Sequence, residues 1–116
     1  MRLKTEIFAA ALVRRIFADG GFAAVDRKGE EQAGALFVTQ RFRDGTVSLH
    51  APAPQTAFEQ GEVRGRKFET RLNMAEEEAV REMLAREIRF DPDLWVVEVE
   101  TDRPIGDYLD MAEDDA

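Results

Sequence analysis

Apolar positions near the N-terminus recur at helical spacing. Ile7, Phe8, Ala11, Leu12, Val13, Ile16 and Phe17 form one wide stripe, with Arg14, Arg15 and Asp19 off it. Thr5 is expected to cap this helix, which runs to about Ala18, and Gly20-Gly21 supplies the left-handed stop. The period then changes from 3.6 to 2. Extended segments are predicted at Phe22 to Arg27, Ala33 to Phe42, Thr46 to His50 and Arg66 to Leu72, each bounded by turn residues. Asp44-Gly45 favours a tight hairpin, and the prolines of "APAPQ" stop the third segment. A loop holding Phe58 to Gly65 leads to the fourth. The four together suggest an antiparallel meander.

A second helix follows, with Met74, Ala79, Val80, Met83, Leu84 and Ile88 as its buried stripe. Asn73 as cap and Glu76 three residues on have the pattern of a capping box, in which each side chain bonds the other's backbone N–H. Acids fill the first turn, Arg86 and Arg89 stand near the last, and Asp91-Pro92 ends the helix. Then "LWVVEV" places Trp95, Val97 and Val99 on one side and Leu94, Val96 and Glu98 on the other. Two largely apolar faces predict a central strand covered on both sides, and Ala35 to Val38 reads the same way. Trp95 is expected to be buried against a helix. The class is therefore α/β of the α+β type: a mixed, mainly antiparallel sheet of about five strands, ordered α-β-β-β-β-α-β, with the helices on opposite faces. No internal repeat or linker divides the chain, so residues 1–116 are read as one domain. Tyr108, Leu109 and Met111 are expected to pack, and the acidic tail at 113–116 to be disordered.

Composition sharpens this picture in two places. The chain has no cysteine, which removes disulfides, thiolate metal sites and cysteine nucleophiles together. Its net charge of −8 is unevenly spread: residues 1–72 carry a balance of +3 and residues 73–116 one of −11. The acidic whole disfavours nucleic acid and anionic membranes, while the first part leaves room for a local basic patch. The basic start and the apolar run from Ile7 to Val13 do not make a secretory signal, because Glu6 precedes the run, Arg14-Arg15 follows it, and no small-x-small site comes next. No stretch approaches the ~20 apolar residues of a membrane span. A cytoplasmic protein without membrane association is expected.

Candidate chemistry is sparse. Pro92-Asp93 followed by Glu98-x-Glu100 echoes the metal-binding acids of restriction-type nucleases. Those sites need a lysine where Glu100 stands, so a turn and a solvated strand end are the better reading. His50 and Ser48, the only residues of their kinds, share one strand face at i, i+2. No nucleophile elbow surrounds Ser48, and His50 reads as the polar end of a strand. One histidine and no cysteine argue against zinc, phosphate-binding loops are absent, and the late acids lack calcium-loop spacing. No cofactor, metal or catalytic residue is assigned. The one candidate ligand surface is basic: Arg41 and Arg43 at strand spacing, with Arg64, Arg66 and Lys67 beside a later strand. The competing reading is edge protection by Lys and Arg.

With these residues in view, "MRLKTEIFAAALVRRIFADGGFAAVDRKGE", "AGALFVTQRFRDGTVSLHAPAPQ" and "LAREIRFDPDLWVVEVE" resemble the alphaproteobacterial family known as domain of unknown function 1491. The resemblance spans nearly the whole chain in order and implies a bacterial, stand-alone protein of this length. It carries over no activity, ligand or site residue. The reading that fits best is a small non-enzymatic interaction module, a homodimer or one with another protein partner, working through a sheet edge or the acidic helix face. The alternative is a binder of a phosphorylated ligand or nucleic acid through Arg41, Arg43, Arg66 and Lys67. A metal-dependent hydrolase using the late carboxylates is a minor third.

Overall fold

A computed structural model describes residues 3–54 and 66–112. Helix α1 (Thr5–Ala18) is followed by strands β1 (Phe22–Arg27), β2 (Leu36–Arg41), β3 (Val47–Pro52) and β4 (Lys67–Ala75). Helix α2 (Glu77–Phe90), strand β5 (Trp95–Glu100), a 3-10 turn (Ile105–Asp107) and the two-residue strand β6 (Asp110–Met111) complete the order. The expected loop at Phe58 to Gly65 and the expected disordered tail at 113–116 lie outside the described residues.

The six strands form one sheet in the order β1-β5-β2-β3-β4-β6. The meander expected of the first four strands holds only from β2 to β4. β5 enters between β1 and β2, antiparallel to the first and parallel to the second. The reason lies in its composition, since a strand apolar on both faces is most stable where neighbours and helices cover all of it. β6 adds a sixth strand beyond the five expected, parallel to β4.

Alternation on these strands builds two cores. On one face Ala9, Leu12 and Ile16 of α1 pack with Ala23, Leu36, Val38, Trp95, Val97 and Val99. On the other, Val80 of α2 packs with Phe37, Val47, Leu49, Ala51, Leu94 and Val96. The helices thus lie on opposite faces, as the pattern predicts. Trp95 is buried on the α1 face and its indole N–H donates to the Glu30 carbonyl at 2.7 Å.

Both expected helix caps are corrected. Asn73 is strand, because β4 continues to Ala75, which pairs with Val47. The register slips between Val47 and Leu49, where Met74 takes a positive φ of 48° and its amide donates to Ser48 Oγ at 2.9 Å. Sheet pairing therefore outcompetes the capping box, and α2 starts after Glu76 with no side-chain cap. Met74 leaves the predicted helical stripe and is exposed. Thr5 is the first helical residue rather than the cap, and it is fully buried. Its hydroxyl donates to the Gly34 carbonyl at 2.7 Å and accepts from Arg66 Nη2 at 2.8 Å, so long-range partners have taken the oxygen a cap would use.

Candidate functional site

Arg41 ends β2 and Arg43 sits on the hairpin that joins it to β3, whereas Lys67 opens β4 and Arg66 directly precedes it. Arg41 pairs with Val47 and Lys67 lies beside the strand end where Pro52 pairs with Phe68. The two pairs of basic residues therefore occupy opposite ends of the sheet. Arg64 lies outside the described residues. Arg41 bridges Glu77 at 3.0 Å and Glu98 at 3.4 Å, and the Glu77 carboxyl titrates below its ordinary range because it accepts the Arg41 hydrogen bond. Arg43 is exposed beside Asp102 at 3.1 Å. Arg66 is buried, bonded to the Leu3 carbonyl and to Thr5, with its guanidinium 5.4 Å from the Phe8 ring centroid. Lys67 lies 3.7 Å from Asp110.

Ser48 and His50 do share a face, but neither ends a strand in solvent. Both are buried. Ser48 Oγ receives the Met74 amide. His50 belongs to a chain of bonds that crosses three strands. The Gln40 amide nitrogen donates to the carbonyls of Thr101 at 3.1 Å and Arg103 at 3.0 Å. Its oxygen faces His50 Nε2 at 3.2 Å, and His50 Nδ1 faces Thr70 Oγ1 at 2.9 Å. Because the Gln40 nitrogen is committed as a donor, its oxygen must accept. His50 is then the neutral tautomer with its proton on Nε2, and Thr70 donates to Nδ1. Burial lowers the His50 pKa to about 4, consistent with that neutral form. The inward aim of His50 was hidden from the sequence because its partners Gln40 and Thr70 come from other strands.

The late carboxylates do not converge. Glu98 is held by Arg41, Glu100 is exposed one pleat further on, and Asp93 stands in the turn before β5. Among the described residues no group of three His, Cys, Asp or Glu side chains is placed to hold a metal.

A cleft of about 730 Å³ opens at the carboxyl ends of the parallel neighbours β2 and β5. The hairpin residues Phe42 and Arg43, the Thr101-Asp102-Arg103 loop and the Gly20-Gly21 turn wall it. Gly20 has a φ of 87°, and a Cβ on Gly21 would stand 2.8 Å from the Glu100 carbonyl, so only glycines let α1 close against β5 here. Three arginines line the cleft, and Asp19, Glu100 and Asp102 offset them.

The largest feature that residue motifs did not reveal is an edge. β1 pairs with β5 on one side and with no described strand on the other. Along it Phe17, Phe22 and Val25 are 51%, 46% and 44% exposed. Phe17 and Phe22 meet edge to face with centroids 5.5 Å apart. The other end of the described sheet is closed by the two-residue β6, whose Asp110 is exposed. The clue in the sequence was Phe22 and Val25 flanking two alanines, but it became meaningful only once β5 left β1 at the rim.

The family described as "Protein of unknown function (DUF1491)" matches residues 3–105. No curated protein matches the chain. The solution structure of protein Atu0922 from A. tumefaciens is 53% identical, with 98% of each chain covered and a TM-score of 0.84. A crystal structure of a DUF1491 family protein from Caulobacter crescentus is 32% identical, covering 97% of this chain and 100% of that one, with a TM-score of 0.76. An NMR structure of a DUF1491 family protein from the same organism is 35% identical, covering 97% and 99%, with a TM-score of 0.77.

Proposed function

We propose that this chain, which belongs to the DUF1491 family, is a small non-enzymatic interaction module whose working surface is the open β1 edge. The observation that carries this reading is a six-residue strand whose outer edge meets no strand among the described residues and is flanked by the half-exposed Phe17, Phe22 and Val25. An edge of this kind offers backbone hydrogen bonds and apolar contacts to an incoming strand. The side chains that an enzyme would draw on are already committed. His50 is bonded through both ring nitrogens, Ser48 receives a backbone amide, and Glu98 is paired with Arg41. Among the described residues no helix is long and apolar enough to cross a membrane. We assign the module to the cytoplasm, in keeping with a chain free of cysteine.

The test is site-specific photo-crosslinking in cell extract. A benzophenone side chain at position 17 or 25 is expected to yield discrete adducts, and one at Arg81 on the solvent side of α2 to yield none. Adducts from position 81 alone, or from no position, would overturn the reading.

A second reading is favoured by the cleft between the hairpin and the 101–103 loop, where Arg43 and Arg103 are exposed. It takes a phosphorylated ligand there through Arg43 and Arg103, since Arg66 is buried and Lys67 stands at the opposite end of the sheet. Fluorescence anisotropy with labelled nucleotides and oligonucleotides tests it. Binding that falls with salt and is lost in Arg43→Glu supports this reading; absence of binding at micromolar protein and low salt rejects it.

A further inference from the structure

We infer that the β1 edge pairs with the same edge of a second copy, giving a two-fold dimer with one continuous sheet and two α1 helices packed side by side. This deepens the interaction reading and rests on it. Three observations carry it.

The first is the side of α1 that overlooks the rim. Glu6 bridges Lys28 at 3.8 Å just beyond one end of β1, and Phe17 touches Phe22 at the other end. The helix therefore runs antiparallel to the strand. Its rim-facing line contains Glu6, Ala10, Val13 and Phe17, at the i, i+4, i+7, i+11 spacing of a helix-packing seam. Ala10 and Phe17 on that line are exposed and Val13 is half-buried.

The second is spacing. α1 lies over β1 and β5, its neighbour in the sheet. Adding a partner strand at the usual ~4.8 Å places the two α1 axes about two strand spacings apart, or roughly 10 Å. That is the ordinary distance between packed helices, ~8–10 Å. A foreign strand would leave this second layer empty, whereas a second copy fills it.

The third is self-complementarity. Antiparallel pairing that extends a sheet keeps each face continuous, so its two-fold axis passes through a residue. With the axis at Ala24, Ala23 of one copy faces Val25 of the other, and Val13 lies beside the axis on the α1 face. The same operation sets the large Phe17 of one copy against the small Ala10 of its partner. Phe17, Phe22 and Val25 offer roughly 250 Å² of side-chain surface per copy on the scale of large apolar residues. With backbone and flanking atoms the interface comes to about 1,000 Å², the low end for specific association. An interface of this size suits a reversible dimer, so its association is sought across the micromolar range.

Sedimentation equilibrium on the purified chain from about 1 to 500 µM is the experiment. The average mass is expected to rise from 13.1 kDa toward twice that value. Ala10→Lys and Val25→Lys, both at exposed positions, are each expected to weaken association by ~10-fold or more. Met74→Lys, exposed on β4 four strands from β1, is expected to leave it unchanged. Circular dichroism checks that each variant is folded, and if Ala10→Lys is not, Val25→Lys decides. A wild-type chain that stays at 13.1 kDa throughout overturns the dimer, as does association that Val25→Lys leaves intact or that Met74→Lys abolishes. If the purified chain is monomeric while position 17 still crosslinks to a different protein in extract, the interaction reading survives and self-pairing falls. If neither occurs, both fall.

Discussion

His50 should make the native state sensitive to acid in a way that can be isolated from every other group. It is the only histidine in the chain and is 2% exposed. Burial lowers its pKa to about 4 from the ordinary histidine value of 6.5. Above pH 6.5 the imidazole is neutral in both folded and unfolded chains, and its contribution to stability does not vary. Between pH 6.5 and about 4 the unfolded chain takes up a proton that the native state refuses, so stability falls as the pH falls. Below about pH 4 both states are protonated and the loss levels off. That depression corresponds to a loss on the order of 3 kcal/mol across this window. The physical origin is desolvation, since a cationic ring would be held out of water between β2 and β4. The assay is urea unfolding of wild type and His50→Gln from pH 4 to 8. The chain's carboxylates titrate in both proteins, so the difference in unfolding free energy isolates the imidazole. That difference should shift against wild type by about 3 kcal/mol between pH 7 and pH 4. The single histidine Cε1–H resonance provides an independent native pKa. A resonance that titrates near 6.5 in the folded protein, or a difference that is flat with pH, would refute the burial argument.

Four further outcomes follow from individual contacts. Trp95→Ala should cost about 3–5 kcal/mol in denaturant unfolding, because it removes a large core side chain and leaves the Glu30 carbonyl without its indole donor. Ser48→Ala should cost about 1–3 kcal/mol by stranding the Met74 amide. Thr5→Val should cost about 1–3 kcal/mol, since the hydroxyl joins the Gly34 carbonyl to Arg66 inside the fold, and amide exchange in the first turn of α1 should accelerate. Arg43→Glu should leave thermal stability within about 0.5 kcal/mol of wild type, its pairing with Asp102 being exposed.

Much of this fold was legible because local periodicity is a local property. The middle of the first helical stripe, at Leu12 and Ile16, the Asp44-Gly45 hairpin and the two apolar faces of the strand at Trp95 each follow from their own segment, whereas Ile7 and Phe17 at the ends of that stripe stay exposed. The double-sided burial of that strand even required a central place with helices on both faces. What periodicity does not encode is which neighbour a strand chooses. Inserting β5 between β1 and β2 turned a predicted meander into a mixed sheet, and the same step created the open edge at Phe22 and Val25. Polar side chains were misread for a related reason. Thr5 and Asn73 have the chemistry of helix caps, and nothing local says that Gly34 and Arg66 will claim the first or that pairing with Val47 will draw the second into β4. His50 looked like the polar end of a strand because Gln40 and Thr70, which satisfy its two nitrogens, lie ten and twenty residues away. The basic residues show the same limit, since strand direction sends Arg41 and Lys67 to opposite ends of the sheet. Sequence patterning determined the local shape of most segments and the apolar centre of each buried face, because each segment must hide most of its own apolar surface from water. The tertiary structure alone decided which strands pair, which polar groups satisfy one another and which edge stays open, because those depend on contacts between segments distant in the chain.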